Sequence, residues 1–594
     1  MIVRLARSDR LLRLTTIRPS AGLGPRLTGE AALYGGAGEA GPYREAGRTV
    51  AFDGGAGEAG PYREAGRTAA FDGNRWTPVG WEELARLIAD ELTLATGTSN
   101  DEFATQVSSS HAAISAIVAS GKASGGAQTA ATDPRIDRYL SSEQSLVAGH
   151  RFHPAPKSRG AGPREWLPFA PETGARFPLR FLAVRGDLLR ADGDTTGLDR
   201  LGAPPAPSGY AVLPAHPWQL RLLRRQPWLA AALRDERLVD LGPGPREVAA
   251  TSSVRTVYDP AADVFCKFSL SVRITNCVRK SSWYELAGAV TLTRLLGPVF
   301  ADLAARFPGA ALLGEPGYRT VSLAGGDRGP EGPGRGQAGP GEPVAEEPDG
   351  REAVEGLSVI AREGLHARLV PGATPILAAA LAEPLGTRPG EMASGLLDRR
   401  EPDWLLDWWE AYVRAVAPPV LHALFGHGVV LEPHLQNVLV GLDHDGLPVQ
   451  AIFRDMEGTK LLTPEHDATL RTLRPRVARA LGYDVERGWN RVAYCLIVNH
   501  LAEIAAAIAD RHPGPQDQFE AVLWHRFGTV LAGLADDHGW PPRLRAVLAG
   551  ARLPAKANLR LRWTRGADRD APYLPVPSPL SEHAMARRTV AAPC

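Results

Sequence analysis

The stretch TSSVRTVYDPAADVFCKFSLSVRITNCVRK, residues 251–280, predicts two strands joined by a turn. From residue 267 onward polar and apolar side chains alternate, which is the period-two pattern of a strand. The polar face carries Lys267, Ser269, Ser271, Arg273 and Thr275, and the apolar face carries Phe268, Leu270, Val272 and Ile274. A strand face of cations and hydroxyls is therefore the first feature to explain.

This stretch is cationic and contains no local counter-charge. The sequence has no acidic residue between Asp263 and Glu285. The cations in that interval are Lys267, Arg273, Arg279 and Lys280. The YDPAAD turn would place Ser253 and Arg255 beside the strand of Lys267. Because charge-assisted hydrogen bonds are about twice as strong as neutral ones, this hairpin is suited to a polyanion such as a triphosphate. A solvated strand face remains the alternative.

A second polar group lies in LEPHLQNVLV, residues 431–440, and AIFRDMEG, residues 451–458. Its members are Glu432, His434, Gln436, Asn437, Asp455 and Glu457. Carboxylate and amide oxygens are the ligands that Mg²⁺ prefers, commonly together with substrate phosphates. The spacing also occurs in kinase-like phosphotransferases, but Gln436 stands where their catalytic Asp would accept a proton. A histidine such as His434, taken alone, more often has a structural role than a functional one.

A third group lies in EQSLVAGHRFHPAPKSRG, residues 143–160. His150 and His153 flank a predicted turn, and Lys157 and Arg159 follow. The stretch offers no third metal ligand near the histidines, and the adjacent cations disfavour a divalent ion, so it predicts a carboxylate-binding corner. For His216 and Trp218, in LPAHPWQ, packing and functional roles both remain open.

Length and composition set the limits of interpretation. A chain of 594 residues suggests two or three domains, and a net charge of +1 argues against a surface devoted to nucleic acid or anionic membrane. The four cysteines show no CxxC or Cys/His metal spacing. No run of about 18 apolar residues occurs. These features predict a cytoplasmic protein without a nucleic-acid or membrane partner.

Two low-complexity segments divide the chain. Residues 35–53 recur almost unchanged as residues 54–72, and we predict that residues 1–75 form a disordered or atypical extension. Residues 325–350 are rich in Gly and Pro and predict a loop. The remaining boundaries are a helical region at 76–140, a mixed α and β domain at 141–400, and a mainly helical region at 401–594.

Taken in order, the motifs resemble those of the IucA/IucC family, the NRPS-independent siderophore synthetases. The similar stretches are GHRFHPAPKSRGAG, HPWQ, ATSSVRTV, KFSLSVRITNCVRK, LEPHLQNVLV and FRDMEG. The resemblance covers about residues 76–580 and implies an α+β fold shaped like a cupped hand, with fingers, palm and thumb. It further implies that ATP lies between palm and fingers and that the C-terminal region is an FhuF-like palm domain.

The resemblance also implies an activity, with ATP and Mg²⁺ as cofactors. A carboxylate of citrate or a related polycarboxylic acid would be adenylated, with release of pyrophosphate. The acyl group would then pass from AMP to an amine, hydroxylamine or alcohol. ATSSVRTV is more similar to the citrate-activating branch of the family, and a homodimer is the commonest default assembly.

The resemblance carries residue roles onto this sequence. The implied catalytic residues are Lys267, Arg279 and His434. The implied ATP-binding residues are Ser253, Arg255, Thr256, Lys267, Asn437 and Asp455. The implied carboxylate-binding residues are His153, Lys157, Arg159, Thr275, Asn276, Arg279 and His434. The implied Mg²⁺ ligands are Glu432, Gln436, Asp455 and Glu457.

Two other functions remain open. A kinase-like phosphotransferase would produce ADP, but Gln436 and the lack of a GxxxxGK[ST] loop argue against it. An iron–siderophore handling protein related to ferric-iron reductases would need a cysteine cluster, which Cys495 and Cys594 do not provide.

Overall fold

A computed structural model describes most of the chain, with gaps at both termini and in several internal segments. The described residues are 2–18, 26–34, 62–64, 67–69, 76–123, 133–150, 153–160, 162–274, 277–323, 348–383, 393–398, 400–512, 516–566 and 571–581. The helices and strands below are those of these residues.

An antiparallel sheet of four strands, in the order β1-β2-β3-β6, begins the chain. The elements of this region are β1 (Ile2–Leu5), β2 (Arg10–Arg18), β3 (Arg26–Tyr34), β4 (Tyr62–Glu64), β5 (Arg67–Ala69), β6 (Trp76–Val79), α1 (Trp81–Thr96), α2 (Glu102–Ala123) and α3 (Pro134–Gln144). Leu12 and Leu33 pack with Leu87 of α1 in a small core.

These strands correct the disorder that we predicted for residues 1–75. The prediction is wrong for β1, β2 and β3, because their apolar side chains are buried against α1. Residues 35–53, the first copy of the repeat, lie outside the described residues. Of the second copy, only the short hairpin of β4 and β5 is described.

The middle of the chain forms a sheet of eight antiparallel strands in the order β8-β16-β17-β12-β11-β10-β7-β9. The elements here are α4 (Pro163–Trp166), β7 (Arg176–Arg185), β8 (Leu189–Gly193), α5 (Thr196–Asp199), β9 (Tyr210–Ala215), α6 (Pro217–Leu223), α7 (Pro227–Arg234), β10 (Leu238–Ala250), β11 (Thr256–Asp259), β12 (Val264–Phe268), β13 (Leu270–Ile274), β14 (Cys277–Arg279), α8 (Trp283–Arg306), β15 (Ala310–Leu313), β16 (Gly317–Val321), α9 (Pro348–Gly356), β17 (Val359–Glu363), β18 (Thr374–Leu377) and α10 (Ala378–Leu381). Residues 324–347, most of the predicted Gly/Pro loop, lie outside the described residues.

The predicted hairpin is confirmed, with Thr256 opposite Lys267 and Asp259 opposite Val264. The single long polar strand is wrong, because β12 ends at Phe268 and the next strand, β13, pairs with β14 outside the large sheet. Every residue of β12 is buried, so Lys267 does not lie on a solvated strand face.

The C-terminal part is mainly helical, as predicted. Its elements are α11 (Pro402–His427), β19 (Val429–Val430), β20 (Val438–Leu442), β21 (Pro448–Arg454), β22 (Lys460–Leu462), α12 (Thr463–Thr472), α13 (Pro475–Leu481), β23 (Gly482–Tyr483), α14 (Val485–Ala493), α15 (Ala502–Ala509), α16 (Gln516–Asp537), α17 (Pro542–Leu548), β24 (Leu553–Lys556), α18 (Asn558–Trp563) and β25 (Tyr573–Val576). A π-helical segment, Tyr494–Leu501, joins α14 to α15.

Local sequence explains where the main helices begin and end. Helix α8 starts with a capping box between Ser282 and Glu285. Helix α11 has Pro402 in its first turn and ends at Gly428, whose φ of 61° is the left-handed conformation that glycine favours. Helix α8 and the span Val485–Ala509 are both apolar and long enough to cross a membrane. In Val485–Ala509, however, 94% of the most apolar stretch is buried inside the protein.

A smaller sheet, in the order β15-β21-β20-β18, meets the large one. A core cluster joins α3 to both sheets, through Tyr139 of α3, Tyr258 of β11, Phe265 of β12 and Ile452 of β21. Because this cluster holds the sheets together, the end of β12 and the end of β21 lie side by side. The α+β class is confirmed, while the division into fingers, palm and thumb remains a prediction.

Candidate functional site

Lys267, near the end of β12, is surrounded by carboxylates from other elements. Its Nζ lies 2.6 Å from Asp455 Oδ1, 3.4 Å from Glu315 Oε1 and 3.5 Å from Glu457 Oε2. The side chain is 2% exposed. Burial lowers the pKa of Lys267, but the three carboxylates outweigh burial and hold that pKa above its usual value. Lys267 is therefore a permanently charged ammonium in the interior.

Two arginines complete this group. Arg255 donates to Glu457 Oε2 at 2.7 Å and to Ser281 Oγ at 3.2 Å. Arg362 of β17 donates to Glu315 Oε1 at 2.6 Å. We call Arg255, Lys267, Glu315, Arg362, Asp455 and Glu457 the ionic cluster. Its three cations balance its three carboxylates, which the sequence of the hairpin alone did not indicate.

The cations keep the two C-terminal carboxylates ionised. Burial raises the pKa of Asp455, but the charges of Lys267 and Arg362 bring it well below its ordinary range. Burial also opposes the ionisation of Glu457, yet Arg255 and Lys267 lower its pKa to about 2. The charge of Arg279 adds to this lowering of the Glu457 pKa.

Two residues beside the ionic cluster have backbones in the left-handed region. Val254 has φ 66° and Asp455 has φ 81°. Such conformations cost about 1–3 kcal/mol each in residues other than glycine, and β-branched valine is especially disfavoured. The surrounding structure therefore imposes the positions of the neighbouring Arg255 and of Asp455.

Ser253 and Ser269, from the predicted hairpin region, form hydrogen bonds that hold the backbone in place. Ser253 Oγ accepts from the Thr256 amide at 3.2 Å. Ser269 Oγ lies 2.7 Å from Ser358 Oγ and accepts from the Ser281 amide at 2.9 Å. The predicted residues Thr275 and Asn276 lie outside the described residues.

The loop between β19 and β20 presents His434 and Asn437 to the same region. His434 Nδ1 accepts from the Gln436 amide at 3.2 Å, so Nε2 carries the ring proton. Burial lowers the pKa of His434, which favours the neutral ring. Asn437 Nδ2 donates to the Glu432 carbonyl at 3.2 Å. The loop therefore offers a neutral imidazole N–H donor.

The π-helical segment Tyr494–Leu501 holds this loop through a hydrogen bond from His500. His500 Nδ1 donates to the Pro433 carbonyl at 2.8 Å, and its Nε2 accepts from the Tyr412 hydroxyl at 2.5 Å. Burial lowers the pKa of His500 to about 4. A neutral, fixed histidine therefore anchors the residue between Glu432 and His434.

The four predicted Mg²⁺ ligands are held on different partners. Glu432 pairs with Arg491 at 2.5 Å, and Gln436 Nε2 donates to Ser252 Oγ at 3.2 Å. Asp455 and Glu457 face the ionic cluster. In the described part of the chain, these residues do not form a three-ligand group. Two carboxylates combined with substrate phosphates nevertheless suit Mg²⁺, so Asp455 and Glu457 fit the ion better than the full quartet does.

Several residues of this region were missed by sequence reasoning. Arg454 donates to Glu143 Oε1 at 2.5 Å, and Glu143 Oε2 accepts from the Ser252 amide at 3.0 Å. Lys460 donates to the Glu457 carbonyl, and burial lowers its pKa to about 8. Glu143, Arg454 and Lys460 each lie in or beside a quoted motif, but only the fold brings them together.

The predicted carboxylate-binding corner contains a buried acid of its own. Lys157 donates to Glu172, and Arg159 Nη2 lies 4.0 Å from the same oxygen. Among the described residues, Arg159 Nη1 and Glu172 Oε2 are buried without a hydrogen-bond partner. His153 packs edge-on against His150, with ring centroids 4.5 Å apart. Arg159 Nη1 can therefore still donate hydrogen bonds to a bound group.

His216 is buried and caps a helix, accepting from the Trp218 amide at 3.1 Å at the start of α6. Burial lowers its pKa to about 3. Of the two roles left open for His216, the structure supports packing and capping.

Two family models match separate parts of the chain. Residues 138–383 match the IucA / IucC family, and residues 406–571 match the ferric iron reductase FhuF-like transporter. The second match covers most of the region that we compared with FhuF-like proteins.

Characterised relatives and a solved structure resemble the chain over most of its length. The L-2,3-diaminopropanoate–citrate ligase of Staphylococcus aureus is 29% identical over 71% of both chains. The rhizobactin siderophore biosynthesis protein RhbC of Rhizobium meliloti is 28% identical over 75% of this chain and 76% of its own. The structure of ATP-bound aerobactin synthetase IucA from Klebsiella pneumoniae superposes with a TM-score of 0.73 at 23% identity, covering 98% of this chain and 94% of its own. This likeness shows a shared fold.

Proposed function

The chain belongs to the IucA/IucC family through residues 138–383, and on that premise we propose that it is an ATP-dependent ligase of siderophore biosynthesis. It adenylates a carboxylate of citrate or a related polycarboxylic acid and transfers the acyl group to an amine, hydroxylamine or alcohol. The names of two relatives, a citrate ligase and a siderophore biosynthesis protein, support this assignment. The enzyme would act in the cytoplasm.

The observation that carries the proposal is the ionic cluster. Adenylation places negative charge on a five-coordinate phosphorus and on the departing pyrophosphate, so fixed cations stabilise its transition state. Lys267 and Arg255 are buried cations from a rigid hairpin, and their positions are set before any substrate arrives. No protein nucleophile is required for this reaction.

Each cation has a carboxylate partner that a phosphate could replace. Lys267 and Arg255 would exchange Asp455 and Glu457 for phosphate oxygens. The released carboxylates, Asp455 and Glu457, would hold Mg²⁺, which when bound neutralises part of the phosphate charge. Neutral His434 would donate its Nε2–H to a substrate oxygen, because its lowered pKa makes it a donor without net charge.

The carboxylic acid would bind at the corner of Lys157 and Arg159. The unpartnered Arg159 Nη1 supports this role, because a buried guanidinium nitrogen without a partner costs free energy that a carboxylate would recover. Arg279, His153, Thr275 and Asn276 remain proposed members of this substrate site.

One experiment tests the activity. The purified protein is incubated with MgATP and hydroxylamine, separately with citrate, 2-oxoglutarate and succinate, and AMP, ADP and pyrophosphate are measured. We expect AMP and pyrophosphate in equal amounts, dependent on citrate. Formation of ADP would favour the phosphotransferase, although Gln436 is engaged with Ser252 and cannot act as its base. Failure to turn over with any acid would contradict the proposal.

A further inference from the structure

A group of imidazoles and one carboxylate lies apart from the ionic cluster, where α8 meets the end of α11. Asp302 Oδ2 lies 3.0 Å from His422 Nε2 and 2.8 Å from His427 Nε2. All three ligating atoms lie within 4.8 Å of one another. The two histidines come from one helix and the aspartate from another, so the group links α8 to α11.

The hydrogen bonds define how the protons are arranged. The Asp302 oxygen can only accept, so His422 and His427 both donate from Nε2. When His422 is neutral, its Nδ1 therefore accepts from His538 Nε2, which lies 2.9 Å away. These two imidazole donors lower the pKa of Asp302 to about 2, so its carboxylate is ionised.

From this geometry we propose that Asp302, His422 and His427 form a binding site for a divalent transition-metal ion of the Zn²⁺ class. Two nitrogens and one oxygen are a ligand set that Zn²⁺ uses at sites with an open fourth position. Zn²⁺ bonds of 2.0–2.2 Å at tetrahedral angles separate neighbouring ligand atoms by about 3.3 Å. The observed N–O separations of 2.8 and 3.0 Å therefore need to widen by only a few tenths of an ångström. The two Nε2 atoms lie within 4.8 Å of each other and would have to settle at about 3.3 Å as well.

His538 gives this group the outer partner that metal-bound histidines commonly have. When the ion replaces the Nε2 proton of His422, that ring carries its proton on Nδ1. His422 Nδ1 then donates to His538 Nε2, which becomes the acceptor across the same 2.9 Å contact. The hydrogen bond between His422 and His538 can therefore form with and without the ion, and only the positions of the ring protons differ.

Solvent and charge around the group are compatible with an ion. The side chains of Asp302 and His427 are 38% and 28% exposed, so a water molecule can take the fourth position. Arg306 is the nearby cation, with Nε 3.5 Å from Asp302 Oδ1 and not from the ligating Oδ2. Its side chain is 57% exposed, and solvent weakens its repulsion.

A second group, Asp443, His444 and Asp445, serves as the matched control. It lies in one exposed turn, where Asp443 Oδ1 accepts the amides of Asp445 and Leu447. Those hydrogen bonds explain its conformation without an ion, and it spans no two helices.

The test titrates Zn²⁺ into the full chain, purified without a histidine tag and treated with chelator, and measures binding by calorimetry. We expect one equivalent to bind, with affinity at least tenfold weaker in Asp302→Asn and His427→Gln and unchanged in His444→Gln. We also expect Zn²⁺ to raise the thermal midpoint of the wild type and of His444→Gln only, since it ties α8 to α11.

A spectroscopic measurement on the wild-type chain keeps the proposal testable even if Asp302→Asn and His427→Gln fold poorly. Co²⁺ in place of Zn²⁺ should give the intense visible bands of tetrahedral coordination in the wild-type chain, and these bands should persist in His444→Gln. The proposal is overturned if the wild type binds no Zn²⁺, if the Co²⁺ spectrum is that of the hydrated ion, or if folded Asp302→Asn and His427→Gln bind like wild type. Loss of binding in His444→Gln would assign the ion to the exposed turn and overturn it as well.

Discussion

Replacement of Lys267 by methionine tests the central cation of the ionic cluster. Methionine keeps much of the volume and removes the charge. Glu315 would retain Arg362 at 2.6 Å, and Glu457 would retain Arg255 at 2.7 Å. Asp455 would retain only Arg362, at 4.0 Å. The variant therefore leaves one carboxylate without a close cation.

The size of the effect follows from that single unpaired charge. Removal of one partner of a buried pair typically costs 3–5 kcal/mol, and Asp455 is 26% exposed, so we expect about 3 kcal/mol of local destabilisation. The pKa of folded Asp455 is depressed, so its ion pair stabilises the fold above about pH 4 and loses this effect on acidification. The difference from wild type should therefore stay constant between pH 7 and about pH 4 and shrink as the pH falls below about 4.

The functional loss should exceed the loss of stability. A fixed charge that meets developing phosphate charge is worth about 10²–10³ in rate, so kcat for pyrophosphate release should fall by that factor or more. The matched control is Lys280→Met, which removes a half-buried lysine 3.8 Å from Glu352 and should stay near wild type. Both are measured by pyrophosphate release together with thermal unfolding across pH. If folded Lys267→Met keeps kcat/KM within about threefold of wild type, the assignment of Lys267 is wrong.

Four further predictions concern neighbouring residues. Arg279→Ala should keep its thermal midpoint and lower kcat/KM about 100-fold, and a wild-type rate would remove Arg279 from the site. Asp455→Asn should raise the Mg²⁺ concentration that gives half-maximal turnover, whereas an unchanged Mg²⁺ dependence would contradict its role as a ligand. Burial lowers the pKa of folded Lys460 to about 8, so between that pH and about 10.4 the unfolded chain binds more protons and wild-type stability rises with pH. Methionine does not titrate, so the thermal midpoint of the wild type should rise relative to that of Lys460→Met between pH 8 and about pH 10.4. A constant difference between the two midpoints over this range would refute the prediction. Lys157→Met should raise KM for citrate and, by leaving Glu172 buried without its ammonium, destabilise the fold by about 3–5 kcal/mol, which a Glu172→Gln second change should partly reverse.

The hairpin and its cations could be predicted because period-two alternation and a turn are local signals. The strand of Thr256 pairs with the strand of Lys267 as expected. The break after Phe268 could not be predicted, because alternation continues through residue 274 although the chain leaves the sheet. Which strand a segment pairs with depends on tertiary contacts that the alternation does not report.

The ion-pair partners of the cations could not be predicted from the sequence either. Glu315 and Arg362 belong to no quoted motif. Arg362 lies on β17, which pairs with β12, and Glu315 lies just before β16, which pairs with β17, so only the fold brings them to the site of Lys267. Strands β1, β2 and β3 were missed because the Gly-rich repeat that follows them dominates the composition of residues 1–75. Residue type thus indicated the chemistry of the candidate site, whereas long-range pairing determined which charges neutralise one another.

The balance of charges in the ionic cluster bears on selectivity among anions in the cell. An anion that arrives alone must separate existing ion pairs and leaves the displaced carboxylates near its own negative charge. A polyphosphate that brings a divalent cation supplies a partner for those carboxylates at the same time. We therefore expect free inorganic phosphate to be a poor competitor, so that a growing cell can accumulate it without slowing this enzyme.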